Sequence, residues 1–319
     1  MAEGPAGTGP SPSDSLKEGP VKRGIGSTRL SPYLFVLPFI VSFLLFYLYP
    51  LVSTVIMSFQ EVIPGQTHFI GTLNYERLLN PFMYTAIWNS FRYTVFTLAI
   101  LIPIPIVLAV LLNNPGNPAT SVFRGALFLP TLVSVVVAGT IIRLLFAGSP
   151  IAIVNTVLSP LGIKPVDWLL GGSFSAMVLL VGMATWRWTG VNIIYFLSGL
   201  QNIPRELYEA ASIDGASAWY RFFRISVPLL KPTIIFVTTI SVFGGFAMFE
   251  ESYILWAGAS GGGSPNNVGL TMVGYIYLKG FQGGAMGLGS AIGLILLFIV
   301  LAVSFLQLNI FGFFKKEEA

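Results

Sequence analysis

Cysteine is absent from the 319 residues, which excludes disulfides, thiolate metal sites and a cysteine nucleophile. Histidine occurs once, as His68. A lone histidine in a polar loop is an ordinary solvated side chain, so histidine-based metal centres are excluded too. Charge is scarce. Asp, Glu, Lys and Arg make up 9% of the chain, where soluble domains carry about 25%. No phosphate-binding loop of the Gly-x-x-x-x-Gly-Lys-Ser/Thr kind occurs. The glycine-rich Gly261-Gly262-Gly263-Ser264 lacks the lysine that reaches a nucleotide's phosphates. The chain therefore hydrolyses no ATP of its own. With no clustered Asp or Glu at metal spacing, a membrane-embedded enzyme is disfavoured, and neither a metal site nor a cofactor is expected.

What the chain has in abundance is apolar length. Hydrophobic residues make up 54% and the mean hydropathy is +0.79. Residues 1–30 are rich in Gly, Pro and Ser, cannot bury enough surface to fold, and read as a disordered cytoplasmic tail. The apolar run that follows is too long and too late for a signal peptide. Six apolar segments then follow, at roughly 31–59, 86–112, 122–146, 173–199, 232–256 and 286–311. Each suffices to cross a ~30 Å hydrocarbon core as a helix. Barrel strands would be shorter and would alternate. The expected fold is an all-α integral membrane protein, with a six-helix transmembrane domain over 31–312 and a cytoplasmic C-terminal tail at 313–319.

Lys and Arg set the expected orientation. With the N-terminal tail inside, the inner segments hold Lys17, Lys22, Arg23, Arg29, Arg124, Arg205, Arg221, Arg224, Lys231, Lys315 and Lys316. The outer loops hold Arg77, Lys164 and Lys279, and Arg92, Arg143 and Arg187 fall within spans. The positive-inside rule then puts both termini in the cytoplasm. The net charge of +4 reflects this bias, and no nucleic-acid partner is read from it.

One inner loop, at 200–231, is long and helix-forming. Pro204 and Glu206 suit a first turn, and Leu207, Tyr208, Ala210 and Ala211 continue it. Gly215 is placed to end the helix in a left-handed cap. A second short helix puts Trp219, Phe222 and Phe223 on one face, and Pro228 is expected to stop it. Ala210 and Ala211 let a partner backbone approach, and Glu209 offers a charge to a basic partner. On these grounds alone the loop is equally well an amphipathic pair packed on its own bundle.

Two spans carry polar groups at membrane depth, which are functional candidates by default. In the fourth, Arg187 lies mid-helix, and Trp188, Asn192 and Tyr195 share a face. That face suits a sugar, with a ring for the C–H side and polar groups for hydroxyls. Interfacial anchoring by Trp and helix–helix bonding by Asn is the competing reading. In the fifth, Phe243 and Phe246 precede Glu250 and Glu251, with Phe246, Glu250 and Tyr253 on one face of a continuous helix. The carboxylates pair with Arg187 or Arg143, bind sugar hydroxyls, or mark a wet outer mouth. Gly283, Gly287, Gly289 and Gly293 are expected to serve close helix packing.

The inner loop also carries a resemblance. Glu209-Ala210-Ala211, three residues, Gly215, nine residues, then Ile225-Ser226-Val227-Pro228 resembles the EAA signature of permeases of ATP-driven (ABC-type) importers, with Val227 in place of leucine. The resemblance implies a type I importer fold in which this loop is the coupling helix. It would seat in a groove of a separate ATPase through Glu209, Ala210, Ala211, Asp214, Gly215, Ile225 and Pro228. Asn74-Tyr75-Glu76-Arg77-Leu78-Leu79 and Gly199-Leu200-Gln201-Asn202-Ile203-Pro204 look like the sugar-importer branch. Trp186-Arg187-Trp188-Thr189-Gly190, Met248-Phe249-Glu250-Glu251-Ser252-Tyr253, Gly269 to Tyr275 and the ending Phe314-Lys315-Lys316-Glu317 look closer to arabinose and arabino-oligosaccharide permeases. The partners so implied are a second permease subunit, two ATPase subunits that bind the ATP, an extracellular sugar-binding protein and the bilayer. In related permeases the corresponding parts of the fourth and fifth spans line the cavity, so the implied sugar contacts are Arg187, Trp188, Asn192, Tyr195, Phe243, Phe246, Glu250 and Glu251. Glycerol-3-phosphate or another oligosaccharide is the alternative cargo. An ion-coupled secondary transporter is less favoured, because no internal repeat is visible and acidic residues in the spans are few.

Overall fold

The computed structural model describes residues 1, 4, 31–63, 65–113, 118–256 and 264–312. The rest of the N-terminal tail, the glycine run at 261–263 and the C-terminal tail at 313–319 lie outside the described residues. The chain divides into two compact units, with the boundary between Val52 and Ser53.

Helix α1 (Pro32–Ser58) is apolar over 27 residues, enough to cross a bilayer. Its first-unit part widens into a π-helical stretch at Leu44–Leu48, where the Tyr49 N–H reaches the Leu44 carbonyl. Pro50 follows two residues on and has no N–H for the ladder, and the wide turn accommodates that gap.

In the second unit, a short antiparallel hairpin pairs β1 (Gln60–Ile63) with β2 (Gln66–Phe69) and puts Gln60 opposite Phe69. The apolar runs do not foreshadow it, because four-residue polar strands carry no periodic signal. Helix α2 (Leu73–Arg77) pins the hairpin. Buried Asn74 donates to the Ser58 and Gln60 carbonyls, each at 2.9 Å, and Arg77 pairs with Glu61 at 2.9 Å.

The spans follow. They are α3 (Pro81–Leu112), α4 (Pro118–Leu132), α5 (Val135–Leu145), α7 (Ser173–Gln201), α10 (Lys231–Phe246) and α13 (Met286–Ile310). Between them lie α6 (Ile153–Leu158), α8 (Arg205–Ile213), α9 (Ala218–Leu229), α11 (Glu250–Leu255) and α12 (Met272–Ile276). Four helices among the described residues pass for membrane spans unaided, and two bent pairs bring the number to as many as six.

Three expectations change. The second span starts at Pro81, ahead of residue 86, because Asn80 caps it through the Met83 N–H and Pro81 opens its first turn. The third span is not straight. It bends by 98° between α4 and α5, where the extended backbone of Ser134 caps a new helix through the Val137 N–H at 3.3 Å. The fifth span stops at Phe246 and resumes as α11. Two consecutive glycines, Gly244 and Gly245, weaken the helix there. Thr271 then holds the freed Met248 carbonyl from outside at 2.8 Å.

Helix α7 is the central element, packing on α3, α4, α10 and α11. Toward one end Tyr93, Ala138, Leu180, Met183 and Trp256 form a core. Toward the other, Ala109, Phe196, Leu200, Leu230 and Val237 form a second. A third gathers Met83, Ala86, Tyr275 and Ile292. The buried segment at 269–271 has its backbone served by side chains. Asn89 donates to the Asn267 and Leu270 carbonyls, Ser252 to that of Gly269, and the Met272 N–H reaches Ser90. Of the four glycines read as a helix-packing set, two serve close approach. A Cβ on Gly287 would overlap the Gln60 carbonyl, and one on Gly289 would lie 2.8 Å from the Gly280 Cα. Gly283 precedes the helix, and Gly293 meets only a side-chain tip at 3.9 Å.

Candidate functional site

The break after α10 opens a cavity of about 570 Å³ among α3, α7, α10 and α11. That size is ordinary for a small-molecule site, about 300–1,000 Å³. Irregular backbone at membrane depth is tolerated where it borders such a space. Residues 247–249 do so.

Of the sequence-predicted contacts, Arg187, Trp188, Asn192 and Tyr195 line the cavity from α7, and Glu250 and Glu251 from α11. Phe243 and Phe246 do not. Phe243 is 65% exposed, away from the cavity, and Phe246 is 1% exposed within the packed core. The shared face of Phe246, Glu250 and Tyr253 assumed a continuous helix. The non-helical backbone at Phe249, φ −146° and ψ −51°, rotates α11 out of that register.

The charges are arranged unevenly. Arg187 donates to Glu251 at 2.7 Å, with side chains 11% and 10% exposed. The same guanidinium lies 5.5 Å over the Trp188 ring. Glu250, one residue earlier, is exposed to the cavity. Arg143, the other suggested partner, makes no ion pair among the described residues.

Asn192 has a structural duty as well. Pro105 has no N–H, so the Leu101 carbonyl four residues before it lacks its helical donor. The Asn192 amide fills that place at 3.0 Å, joining α7 to α3. Gly190 permits similar closeness to α4, since a Cβ there would lie 2.2 Å from the Leu127 carbonyl.

The remaining lining residues include several that the sequence reading missed. Tyr93, Thr97, Ser241, Gly244 and Met248 border the cavity. Threonines and serines inside a span are silent in a hydropathy profile. The Gly244-Gly245 pair was the one legible signal of a broken helix.

At the other candidate site, α8 ends at Gly215 in a left-handed turn with φ +76°. The Ala216 N–H reaches the Ala211 carbonyl at 2.9 Å, and the Gly215 N–H reaches that of Ser212 at 3.2 Å. These are the paired bonds of a Schellman cap. Arg221 then donates to Ser212 at 2.7 Å, tying α9 to α8, and Ser217 caps α9 through the Tyr220 N–H. Glu209, Ala210, Asp214, Gly215 and Pro228 are exposed, and Ala211 and Ile225 are half-buried. Large apolar side chains are exposed beside them: Ile213 at 87%, Trp219 at 71% and Phe223 at 58%. Pro228 does not end the second helix. It sits within α9, after a π-helical stretch at Phe222–Ser226, and the 67° bend comes between Leu229 and Lys231.

Fold and site together define a class: a helical membrane permease with a mid-span cavity, a helix–glycine–helix elbow exposed at one end, and no nucleotide site in its sequence. The chain belongs to the binding-protein-dependent transport system inner membrane component family, whose pattern matches residues 82–314. It is 49% identical over 291 residues to the arabinooligosaccharides transport system permease protein AraP of Bacillus subtilis, covering 91% of each chain. It is 36% identical over 279 residues to the lactose transport system permease protein LacF of Rhizobium radiobacter, covering 86% of this chain and 92% of that one. In fold it is similar to a chain of a bacterial ABC transporter involved in the import of the acidic polysaccharide alginate. That likeness has a TM-score of 0.78 at 24% identity, over 91% of this chain and 98% of the other. The protein is thus the permease component of an ABC-type importer, located in the membrane, and not its ATPase.

Proposed function

We propose that this permease pairs with a second permease subunit and carries neutral arabinose-containing oligosaccharides inward by alternating access. An extracellular binding protein would deliver the sugar, and ATP hydrolysis on two separate ATPase subunits would drive the cycle. Support for the cargo comes from the 49% identity, over nine-tenths of both chains, to a permease named for arabino-oligosaccharides. The sugar would meet Trp188 with its C–H face and Arg187, Asn192, Glu250 and Glu251 with its hydroxyls. Tyr195 would close one wall.

The observation that carries the energising step is the elbow at Gly215. Its Ile213, Trp219 and Phe223 stand largely exposed among the described residues, and helix-in-groove docking gives such a surface a partner. Glu209, Ala210, Ala211, Asp214 and Gly215 would form its contact core, with Ile225 and Pro228 holding its far end. Both termini and the elbow would face the cytoplasm, in keeping with the Lys/Arg count.

The absence of native cysteine makes one test direct. An Ala210→Cys variant, assembled with ATPase subunits that carry single cysteines along their permease-facing groove, should cross-link in a manner that changes with ATP. An outward-applied, membrane-impermeant thiol reagent should not reach it in intact cells. Ready labelling from outside, or no cross-link in any nucleotide state, would overturn the docking assignment.

A further inference from the structure

We infer that Glu250 sets the charge preference of the cavity: it admits neutral sugars and rejects those bearing a carboxylate or phosphate. The inference rests on the cargo reading above and specifies its chemistry. Among the described residues, three charged side chains line the cavity, namely Arg187, Glu250 and Glu251. The cation is already committed, because Glu251 holds the Arg187 guanidinium at 2.7 Å and both are nearly buried. Glu250 stands on the same wall, is exposed to the cavity, and forms no ion pair among the described residues. This chain's share of the cavity therefore carries one net negative charge.

The two classes of ligand meet that charge differently. A carboxylate accepts hydrogen bonds from two sugar hydroxyls at once, while the aromatic Trp188 and Phe249 border the same space. An anionic ligand seated about 6 Å away would instead meet a like charge. At an effective dielectric near 20 this is a discrimination of roughly a hundredfold, reduced to about tenfold where water reaches the site. Arg187 offsets this little, because its charge is already matched by Glu251.

The test uses the full assembly of both permeases and ATPases in nanodiscs, without the extracellular binding protein, so that the cavity's own preference is read. Calorimetry would compare a neutral arabino-trisaccharide with an analogue of equal length in which one residue is a uronic acid. Wild type should bind the neutral sugar about tenfold or more tightly. Glu250→Gln, which keeps the shape, should bring the two within about threefold, and Glu250→Lys should reverse the order. A wild-type ratio near one, or a ratio unchanged in Glu250→Gln, overturns the charge assignment and leaves the cargo reading standing. Failure of wild type to bind either sugar overturns the cargo reading, and the assignment falls with it.

Discussion

Removing one member of the Arg187–Glu251 pair should cost more than removing both. The two side chains are 11% and 10% exposed and meet at 2.7 Å, and the Arg187 Nε is buried with no partner of its own. Glu251→Leu would therefore strand a guanidinium that water barely reaches. Breaking a buried pair in this way costs about 3–5 kcal/mol, whereas replacing both partners with apolar residues is neutral or stabilising by about 1–4 kcal/mol. At roughly 2–4 °C per kcal/mol, Glu251→Leu should lower the unfolding midpoint of the purified assembly by on the order of 10 °C. Arg187→Met/Glu251→Leu should recover most of that loss. Because membrane assemblies unfold irreversibly, the comparison belongs at one fixed scan rate. Half-molar salt should barely alter the ranking, since buried pairs are screened weakly. A double variant no more stable than Glu251→Leu would refute the reasoning, and so would a single variant indistinguishable from wild type.

Three other outcomes follow from particular contacts. Gly215→Val, placed at φ +76°, should cost about 1–2 kcal/mol locally; uptake should fall steeply while surface amounts of the protein, measured by membrane fractionation, stay near normal. Asn192→Leu should leave the Leu101 carbonyl without its donor, at about 1–3 kcal/mol, visible as a lower midpoint even in sugar-free assembly. Gly190→Ala should be poorly tolerated because its Cβ would fall 2.2 Å from the Leu127 carbonyl, while Gly182→Ala, with open space around it, should be neutral or slightly stabilising. Equal midpoints for those two alanine variants would count against the packing described for α7.

Much of the fold was legible because hydrophobic length is a strong signal in lipid. The elbow was legible too, since Gly215, Ser217 and the Trp219-Phe222-Phe223 spacing each have a local cause. The two broken spans were not. Val133-Ser134 and Ala247-Met248-Phe249 are short, mostly apolar interruptions inside long apolar runs; the first is capped locally by Ser134, whereas Thr271 reaches Met248 from 23 residues away. The same distance in sequence hid half of the cavity. Arg187 and Glu251 were each visible as costly charges, and their pairing was one of several options until α11 was seen to turn toward α7. Phe246 was misplaced because helical periodicity was extended across a break that the Gly244-Gly245 pair marks only faintly, and Phe243, implied by the resemblance alone, lies outside the cavity.

ATP-dependent uptake is the most direct measure of what this chain does. Proteoliposomes holding the two permeases and two ATPases, with ATP sealed inside and the binding protein outside, should accumulate a labelled arabino-oligosaccharide. Accumulation should cease without ATP, or when Gly215→Val is present. Accumulation that needs only an ion gradient, or that survives the loss of ATP, would contradict the reading of this protein as the permease of an ATP-driven importer.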